Sequence, residues 1–368
     1  MIVKRFWAEN FRNIEKCNIE FSPGVNLLYG QNAQGKTNVI EGIYYFSRGK
    51  SFRGREDKEL IRFESEGFRI GIDYEDDAGD ERLEYAMFGK DRLRKKNGYK
   101  LKGVTEMLGS FRAVLFYPDD LGLVKDGPDA RRSFLNVAVS TCHPAYVRYY
   151  TDYKKALENR NCILKMMQKG LYIDQNELAS WSSSMAEYAS HIYIMRREYI
   201  NRLAVHAGEV MRDISDGNED LALEYESNIT TGSSDRAEIK AEYERILSAS
   251  LDREIAAGVT LFGPHREDID IRINGISARA FASQGQQRSI VLSLKLAEGE
   301  VIKEISGDYP VFLFDDVLSE LDDKRRKYVL SGRGERQIII TACNKGECLG
   351  YTDSEIEVMG GQYVSSHR

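Results

Sequence analysis

The feature that most constrains this chain is a glycine-rich string at residues 30–37, which reads GQNAQGKT. It matches the pattern G-x-x-x-x-G-K-[ST], whose glycines let backbone N–H groups curl around a phosphate. The string follows residues 25–29, a short apolar run that predicts a strand, and precedes residues 37–46, whose apolar spacing predicts a buried helix. A phosphate-binding loop requires this order of strand, loop and helix, so the sequence predicts a P-loop α/β fold.

Each part of this P-loop has an expected role in holding a nucleotide. The loop backbone and the start of the helix would surround the β-phosphate with N–H donors and partial positive charge. Lys36 would reach the β- and γ-phosphates and so act in catalysis, while Thr37 would be a ligand of Mg²⁺. We therefore expect ATP and Mg²⁺ as cofactors. The candidate nucleotide-binding residues here are Gly30, Gln31, Asn32, Ala33, Gln34, Gly35, Lys36, Thr37 and Asn38.

A second segment, residues 311–316, reads VFLFDD and predicts a buried strand that ends in two acids. A P-loop protein needs a carboxylate at the end of another strand to hold magnesium, and Asp315 is the candidate metal ligand beside Thr37. Asp316 is a candidate catalytic residue that would polarise or position the attacking water. Lys36 and Asp315 lie far apart in the sequence, which predicts an insertion between them.

A third string, SQGQQR at residues 283–288, stands at the start of a predicted helix and is similar to the signature motif of ABC ATPases. Its candidate γ-phosphate contacts are Ser283, Gly285 and Gln286. Ser283 would also act in catalysis. The P-loop is already a complete cradle, so this second anion site needs another nucleotide. In ABC ATPases the signature of one protomer closes over ATP held by the other, and the resemblance therefore implies an ATP-dependent homodimer. Residues 319–322 resemble the D-loop at that interface.

The order of strand and helix patterns predicts the domain organisation. Helical periodicity runs from Pro144 to about Ala257, strand patterns lie on both sides of it, and Asn97-Gly98 predicts a hairpin turn. The simplest architecture is an ABC-ATPase head of the α/β class, with a P-loop and a mixed sheet with helices, and with an inserted helical lobe. We expect residues 1–125 and 259–368 to form the head and residues 126–258 to form the helical lobe.

Strings along the whole chain resemble motifs of the RecF family of ABC-type ATPases. They are NFRN at 10–13, FYPDD at 116–120, GPDARRSFLN at 127–136, GPHRED at 263–268 and FASQGQQR at 281–288. By this resemblance Arg12 and Asn13 would lie near the nucleotide, although polar residues at a strand end are also ordinary. Arg131 and Arg132 could bind nucleotide, DNA or a partner lobe, and His265 receives no role.

The resemblance also implies a function. It implies an ATP-dependent DNA-binding recombination mediator whose dimer binds gapped or double-stranded DNA without sequence specificity. It further implies that the protein works with RecR and RecO to load RecA, with links to replication restart and the SOS response. Weak, DNA-stimulated ATP hydrolysis would release it from DNA.

Departures from the wider ABC pattern predict slow hydrolysis. The usual catalytic glutamate is Asp316, no histidine follows residues 338–342, and no glutamine occurs between Gln34 and Gln168 to form the Q-loop of transporters. These features, with the long helical insert, disfavour a transport cassette. An ATPase subunit of a phage-defence nuclease is a further alternative, but no segment long enough for a nuclease domain follows residue 316. The pattern is typical of a nucleotide-timed switch.

Composition restricts where DNA could bind. The net charge of −6 means that contacts with DNA must be local. One basic cluster is Lys50, Arg53 and Arg55, and another is Arg92, Arg94, Lys95 and Lys96; solvated surface charge is the ordinary alternative. Five cysteines without a CxxC pair predict free thiols, and the lack of a long apolar stretch predicts a cytoplasmic protein without a membrane span.

Overall fold

The computed structural model describes residues 1–54, 56–171, 174–229, 232–331, 335–348 and 350–367. The chain forms two compact units. The head unit contains Met1–Val124, His206–Asp220 and Ala282–Arg368, and the helical unit contains Lys125–Val205 and Leu221–Phe281.

The strands, numbered in chain order, are β1 (Ile2–Phe11), β2 (Ile14–Glu20), β3 (Val25–Tyr29), β4 (Gly67–Asp76), β5 (Gly79–Phe88), β6 (Asp91–Lys96), β7 (Tyr99–Lys100), β8 (Ala113–Phe116), β9 (Leu221–Glu226), β10 (Asp268–Ile273), β11 (Ile276–Ser277), β12 (Val311–Asp315), β13 (Ile338–Ala342), β14 (Ser354–Met359) and β15 (Gln362–His367).

The α-helices are α1 (Lys36–Arg48), α2 (Val104–Met107), α3 (Gly122–Lys125), α4 (Pro128–Cys142), α5 (Ala145–Gln168), α6 (Gln175–Ile214), α7 (Arg236–Ala249), α8 (Leu251–Ala257), α9 (Ala278–Phe281), α10 (Gln284–Ser306) and α11 (Asp323–Ser331). Short 3₁₀ turns occupy Asp57–Leu60, Pro118–Leu121, Leu318–Glu320 and Lys345–Cys348. No helix in the described part of the chain combines the length and apolar character needed to cross a membrane.

A six-stranded sheet of the head unit carries the predicted motif strands in the order β15-β14-β3-β13-β12-β8. Only the β14–β15 pair is antiparallel. The apolar residues of β3, β13 and β12 are buried, as expected for parallel strands that are covered on both faces. Thr341 on β13 lies opposite Asp315 on one side and Leu28 on the other, so the carboxyl ends of the three strands meet at one edge.

The second sheet of the head unit is antiparallel, in the order β2-β1-β4-β5-β6-β7. Helix α1 contacts strands of both sheets and is buried along most of its length. Gly42 permits this packing, because a Cβ at this position would lie 2.5 Å from the Phe6 ring. The β6–β7 hairpin turns at Asn97 and Gly98, as predicted, and both residues have positive φ.

The helical unit contains a sheet that the sequence did not predict. Residues 218–235 lie within the stretch of predicted helical periodicity, but they include β9, which pairs antiparallel with β10. The sheet order is β11-β10-β9, and α4 packs against β10. This pairing explains why residues 259–281 are grouped with the helical unit, whereas the predicted boundary lay at 258. Residues 206–220, predicted to be helical-lobe residues, are grouped with the head.

Two of the strings that resemble family motifs meet in this unit. Arg131 forms a two-pronged ion pair with Asp268, and the Arg132 Nη1 donates to the carbonyl of Glu267 at 3.1 Å. Burial lowers the pKa of His265 to about 4, and its Nδ1 lies 2.6 Å from the Tyr153 hydroxyl. These contacts give Arg131 and His265 a structural role inside the helical unit.

Candidate nucleotide site and signature turn

The P-loop joins β3 to α1 in a conformation that its glycines make possible. Gly30 and Gly35 have φ of 152° and 110°, where a residue with a side chain would be strained. A Cβ at Gly30 would lie 2.3 Å from the carbonyl oxygen of Val358. Gly35 adopts the left-handed conformation at the N-cap of α1. The backbone can therefore curve as a phosphate-binding loop requires.

The Lys36 side chain crosses the interior of this loop. Its Nζ donates to the carbonyl oxygens of Gly30 at 2.6 Å and Gln31 at 3.0 Å, and the residue is only 3% exposed. A buried ammonium group needs oxygen partners because its desolvation is costly. The loop carbonyls hold the charge at the place where phosphate oxygens are expected to bind.

Thr37 and Asp315 meet as predicted for a pair of magnesium ligands. The Thr37 hydroxyl donates to Asp315 Oδ1 at 2.9 Å. Thr341, which the sequence analysis did not identify, donates to the same oxygen at 2.9 Å and accepts the backbone N–H of Asp316 at 2.9 Å. Thr341 lies on the strand between the two motif strands and fixes both acids at the sheet edge.

The two acids differ in their surroundings. Burial raises the pKa of Asp315, while hydrogen bonds from Thr341 and Thr37 oppose that shift and the neighbouring Asp316 adds to it. Asp316 is partly exposed and has a φ of 53°, an unusual conformation for a residue with a side chain. Asp315 is thus a buried carboxylate that two hydroxyls hold, whereas Asp316 is partly exposed and its Oδ1 accepts from the Thr341 hydroxyl at 3.4 Å.

Arg12 lies beside α1, but a protein carboxylate already engages it. Its guanidinium donates to both oxygens of Glu41, at 2.9 and 2.7 Å, and Glu41 is fully buried. A bidentate pair of this kind is strong and directional. The sequence analysis missed Glu41, which reads as one polar position of a helix. The predicted contact of Arg12 with nucleotide stays a prediction.

A short hydrogen-bonded chain of side chains lies beside the P-loop. Asn38 Nδ2 donates to Asn13 Oδ1 at 2.6 Å, and Asn13 Nδ2 donates to the Ala33 carbonyl at 3.3 Å. Arg53 Nη1 donates to Asn38 Oδ1 at 3.0 Å. Asn13 therefore lies against the loop, and its contact with nucleotide stays a prediction. Arg55, the third cation of that basic cluster, lies outside the described residues.

The β14–β15 hairpin covers one side of the P-loop, which the sequence did not indicate. The Gly360 N–H donates to Gln34 Oε1 at 2.6 Å, and a Cβ at Gly35 would lie 3.0 Å from the Tyr363 hydroxyl. On another side, the thiol of Cys343 lies 3.1 Å from Asn32 Oδ1. These contacts engage the side chains of Asn32 and Gln34 within the loop.

The signature turn, residues 283–286, is at the exposed start of α10. Ser283 Oγ accepts the Gln286 N–H at 3.2 Å, and Gln286 Oε1 accepts the Ser283 N–H at 2.9 Å. This capping box fixes the helix start. Within the described chain, no hydrogen bond or ion pair joins Ser283, Gly285 or Gln286 to the P-loop. The structure therefore brings Lys36, Thr37, Asp315 and Asp316 together, and the signature turn is not among the groups bonded to them.

The signature turn is tied to the segment that resembles a D-loop. Arg288 donates to the Glu320 carbonyl at 3.0 Å, and Arg325 Nη2 donates to the Ser289 hydroxyl at 2.6 Å. Ser319 is exposed on the same 3₁₀ turn. The two segments therefore form one connected surface of the head unit.

Comparisons with known proteins show the class to which this chain belongs. The family described as RecF/RecN/SMC N terminal domain matches residues 2–360, which confirms the predicted class, an ABC-type ATPase head with a helical insertion. An Smc head domain from Pyrococcus furiosus has a TM-score of 0.57 at 17% identity over 100% of this chain and 96% of its own, a likeness of fold alone.

Two further comparisons specify the branch of that family. The DNA replication and repair protein RecF of Acetivibrio thermocellus is 38% identical over 348 residues, which are 94% of each chain. A solved structure of the recombination mediator protein RecF-ATP in the RecFOR pathway has a TM-score of 0.91 and 35% identity, and the match covers 99% of this chain and 97% of that one. The chain belongs to the RecF family.

Proposed function

We propose that this protein is an ATP-dependent, DNA-binding recombination mediator. One observation carries the proposal: Lys36, Thr37 and Asp315 converge at one sheet edge, while the complementary Ser283 turn is exposed and has no hydrogen bond or ion pair to them among the described residues. The Ser283 turn does not complete the P-loop of its own chain. A second copy of the chain would therefore supply the turn that completes it. ATP would then join two copies, each supplying one half of each composite site.

The residues at the sheet edge suit a nucleotide with magnesium. Lys36 supplies a buried cation for phosphate oxygens, and the loop around Gly30 and Gly35 supplies backbone N–H groups. Thr37 and Asp315 supply a hydroxyl and a carboxylate, the oxygen ligands that Mg²⁺ prefers. When bound, Mg²⁺ would neutralise charge on the phosphate oxygens.

The chain's own residues favour slow turnover. Asp316 is the candidate that would position water, and its N–H is held by Thr341 at the sheet edge. Ser283 and the N–H groups that begin α10 would bind the γ-phosphate held by the other protomer. Hydrolysis would remove that contact, so the dimer would open and leave DNA.

The family supports the cellular role that we propose. Relatives are named as DNA replication and repair proteins, and a solved relative is a recombination mediator in the RecFOR pathway. We propose that this chain likewise works in the cytoplasm with RecR and RecO to load RecA on gapped DNA. Replication restart and SOS induction would follow from that loading, and DNA would stimulate the weak ATPase activity.

A gel mobility experiment tests the proposed function. Gapped and fully double-stranded DNA are incubated with the protein, with and without ATP and Mg²⁺, and Lys36→Arg is the matched control because it keeps the charge. We expect an ATP-dependent shift that the variant lacks. DNA mobility that is unchanged at every protein concentration would contradict the proposal.

A further inference from the structure

The antiparallel sheet of the head unit has one face covered by α1 and one outer face. Residues that point inward, such as Phe6, Ile70 and Tyr85, belong to the buried core. The outward residues alternate with them, and they include Trp7 on β1, Arg69 on β4 and Phe88 on β5. The nucleotide site described above uses none of these outward residues.

One half of this outer face has its charges paired. Asp73 accepts from both Arg5 and Arg82, at 2.6 and 2.5 Å. Lys4 lies 2.6 Å from Asp80 and 2.7 Å from Glu75. Cations that carboxylates already neutralise add little attraction for a further anion.

The other half has cations without such partners. It forms a concavity of about 510 Å³ whose lining includes Trp7, Arg69, Phe88, Lys95 and Lys100. Among the described residues, Arg69, Lys95 and Lys100 form no ion pair. The guanidinium of Arg69 instead lies 5.3 Å from the centroid of the Phe88 ring.

The lining as a whole favours an anion. Besides Arg69, Lys95 and Lys100, it contains the cation Arg92, which lies 3.5 Å from Asp57, and the two acids Glu84 and Asp91. Cations therefore outnumber acids in a molecule whose net charge is negative. This is the local positive charge that contact with a polyanion requires.

Trp7 gives the concavity a planar surface. The indole lies over Gly71, where a Cβ would come within 2.3 Å of its ring. The missing side chain of Gly71 thus lets the ring rest on the sheet, and Trp7 remains partly exposed in the concavity. An aromatic ring supported on one side and accessible on the other can stack on a flat ligand.

We infer that this half of the outer face, the Trp7 surface, binds single-stranded DNA. The inference rests on the proposed DNA-binding function and adds where unpaired bases make contact. Bases stack on Trp7 or Phe88, while phosphates contact Lys95, Lys100 and Arg69, the combination by which proteins bind single strands without sequence preference. A duplex would leave the indole unused, since its bases are already stacked and its backbone offers only phosphates.

Fluorescence provides the test, because the chain has two tryptophans, Trp7 and Trp181. In full-length Trp181→Phe protein, Trp7 is the sole indole. With ATP and Mg²⁺ present, titration with oligothymidine should quench its emission, whereas a blunt hairpin duplex without unpaired bases should not. Fluorescence anisotropy of a labelled oligothymidine, measured in parallel, should show that Trp7→Ala weakens binding by roughly tenfold.

Salt dependence checks the phosphate contacts. Removing Lys95 and Lys100 by K95A and K100A together should lower the slope of log affinity against log salt by about 1.4 for single strands. Lys4→Ala is the matched control, because it removes a lysine from the ion-paired part of the same sheet and should leave the slope unchanged.

The outcomes separate this inference from the proposed function. Oligothymidine binding in the anisotropy assay without Trp7 quenching, or with equal losses in the Lys4 control, would overturn the Trp7 surface and leave DNA binding intact. Equal quenching by the duplex would overturn the preference for unpaired bases. Absence of anisotropy changes with labelled oligothymidine and with labelled gapped and duplex DNA alike, in the presence of ATP and Mg²⁺, would reject both proposals.

Discussion

Helices α1 and α10 both begin at a motif turn, and they differ in how each turn is satisfied. The turn before α1 is covered by other parts of the head, and its Lys36 is buried. The turn before α10 is exposed and is capped by its own Ser283 and Gln286. One turn is therefore covered by the protein's own residues, and the other is open to solvent.

The two helices also differ in their buried carboxylates. Glu41 on α1 is fully partnered, with both oxygens bonded to Arg12. Glu298 on α10 has Lys295 at 3.8 Å, but its Oε2 finds no hydrogen-bond partner in the part of the chain that is described. The comparison sets a fully partnered buried carboxylate beside the P-loop against a poorly partnered one on α10.

The largest expected effect is on ATP affinity, which a change in the P-loop turn should lower and a change in the signature turn should not. Lys36→Ala should weaken ATP binding by about a hundredfold, since charge-assisted contacts with phosphate are lost. Ser283→Arg should leave ATP affinity of the protomer nearly unchanged, because that turn contacts nucleotide only across the dimer. Calorimetric titration with ATP at low protein concentration measures the affinity of both variants. An equal loss of ATP affinity in both would place the two turns in one site of a single chain.

Removal of the partnered carboxylate should destabilise the fold. Glu41→Gln leaves the Arg12 charge without its buried partner and should lower the free energy of unfolding by about 3 kcal/mol. Glu15→Gln is the control, because it breaks the exposed pair with Arg62 and should change stability little. Urea unfolding measures both, and similar small losses would show that the buried pair is not needed.

Glu298, the poorly partnered carboxylate, should make the free energy of unfolding depend on pH. Burial raises the pKa of Glu298 to about 7 from 4.5. The folded state then binds the proton more tightly than the unfolded state, so this contribution to stability is lost as pH rises from about 4.5 through 7.

Glu298→Gln removes that titration and should reduce the fall in unfolding free energy between pH 5.5 and pH 8 by about 2 kcal/mol. Urea unfolding at the two pH values provides the measurement. Glu300→Gln, a more exposed change on the same helix whose partner is the arginine Arg336, should keep the wild-type pH dependence. If Glu298→Gln also keeps the wild-type pH dependence, ionisation of Glu298 does not destabilise the fold. Glu298 and Glu41 would then not differ in this respect.

Two N-cap variants distinguish the structural role of the signature turn from its role in ATP-dependent dimerisation. Ser283→Arg and Asp235→Ala each remove a helix N-cap and should each cost about 1 kcal/mol in urea unfolding. Only Ser283→Arg should prevent ATP-dependent dimerisation in light scattering, since Asp235 caps α7 in the helical unit. A dimer that survives in Ser283→Arg would assign the turn a structural role alone.

Much of the nucleotide site could be predicted because its signals are local. The P-loop string, the strand before it and the acids after an apolar strand each occupy a short stretch, so sequence alone located Lys36, Thr37 and Asp315. Thr341 could not be found in this way. It reads as one polar residue of a strand, and its contact with Asp315 depends on the register between β12 and β13.

The missed strand has a similar explanation. In β9, Leu221, Leu223 and Tyr225 alternate with more polar positions, but the run is short and lies in a polar segment between strong helical patterns. Its pairing with β10, which follows much later in the chain, stabilises it as a strand. Arg12 is comparable, because its partner Glu41 is brought close only when β1 packs on α1.

The central claim is that two chains share each ATP, and mixing two inactive variants tests it most directly. Lys36→Ala retains its signature turn, and Ser283→Arg retains its P-loop, so a dimer of one with the other has one complete site. ATP hydrolysis by the equimolar mixture should recover to roughly a quarter of the wild-type rate, since about half of the dimers are mixed and each has one of two sites. A mixture as inactive as either variant alone would contradict the shared site.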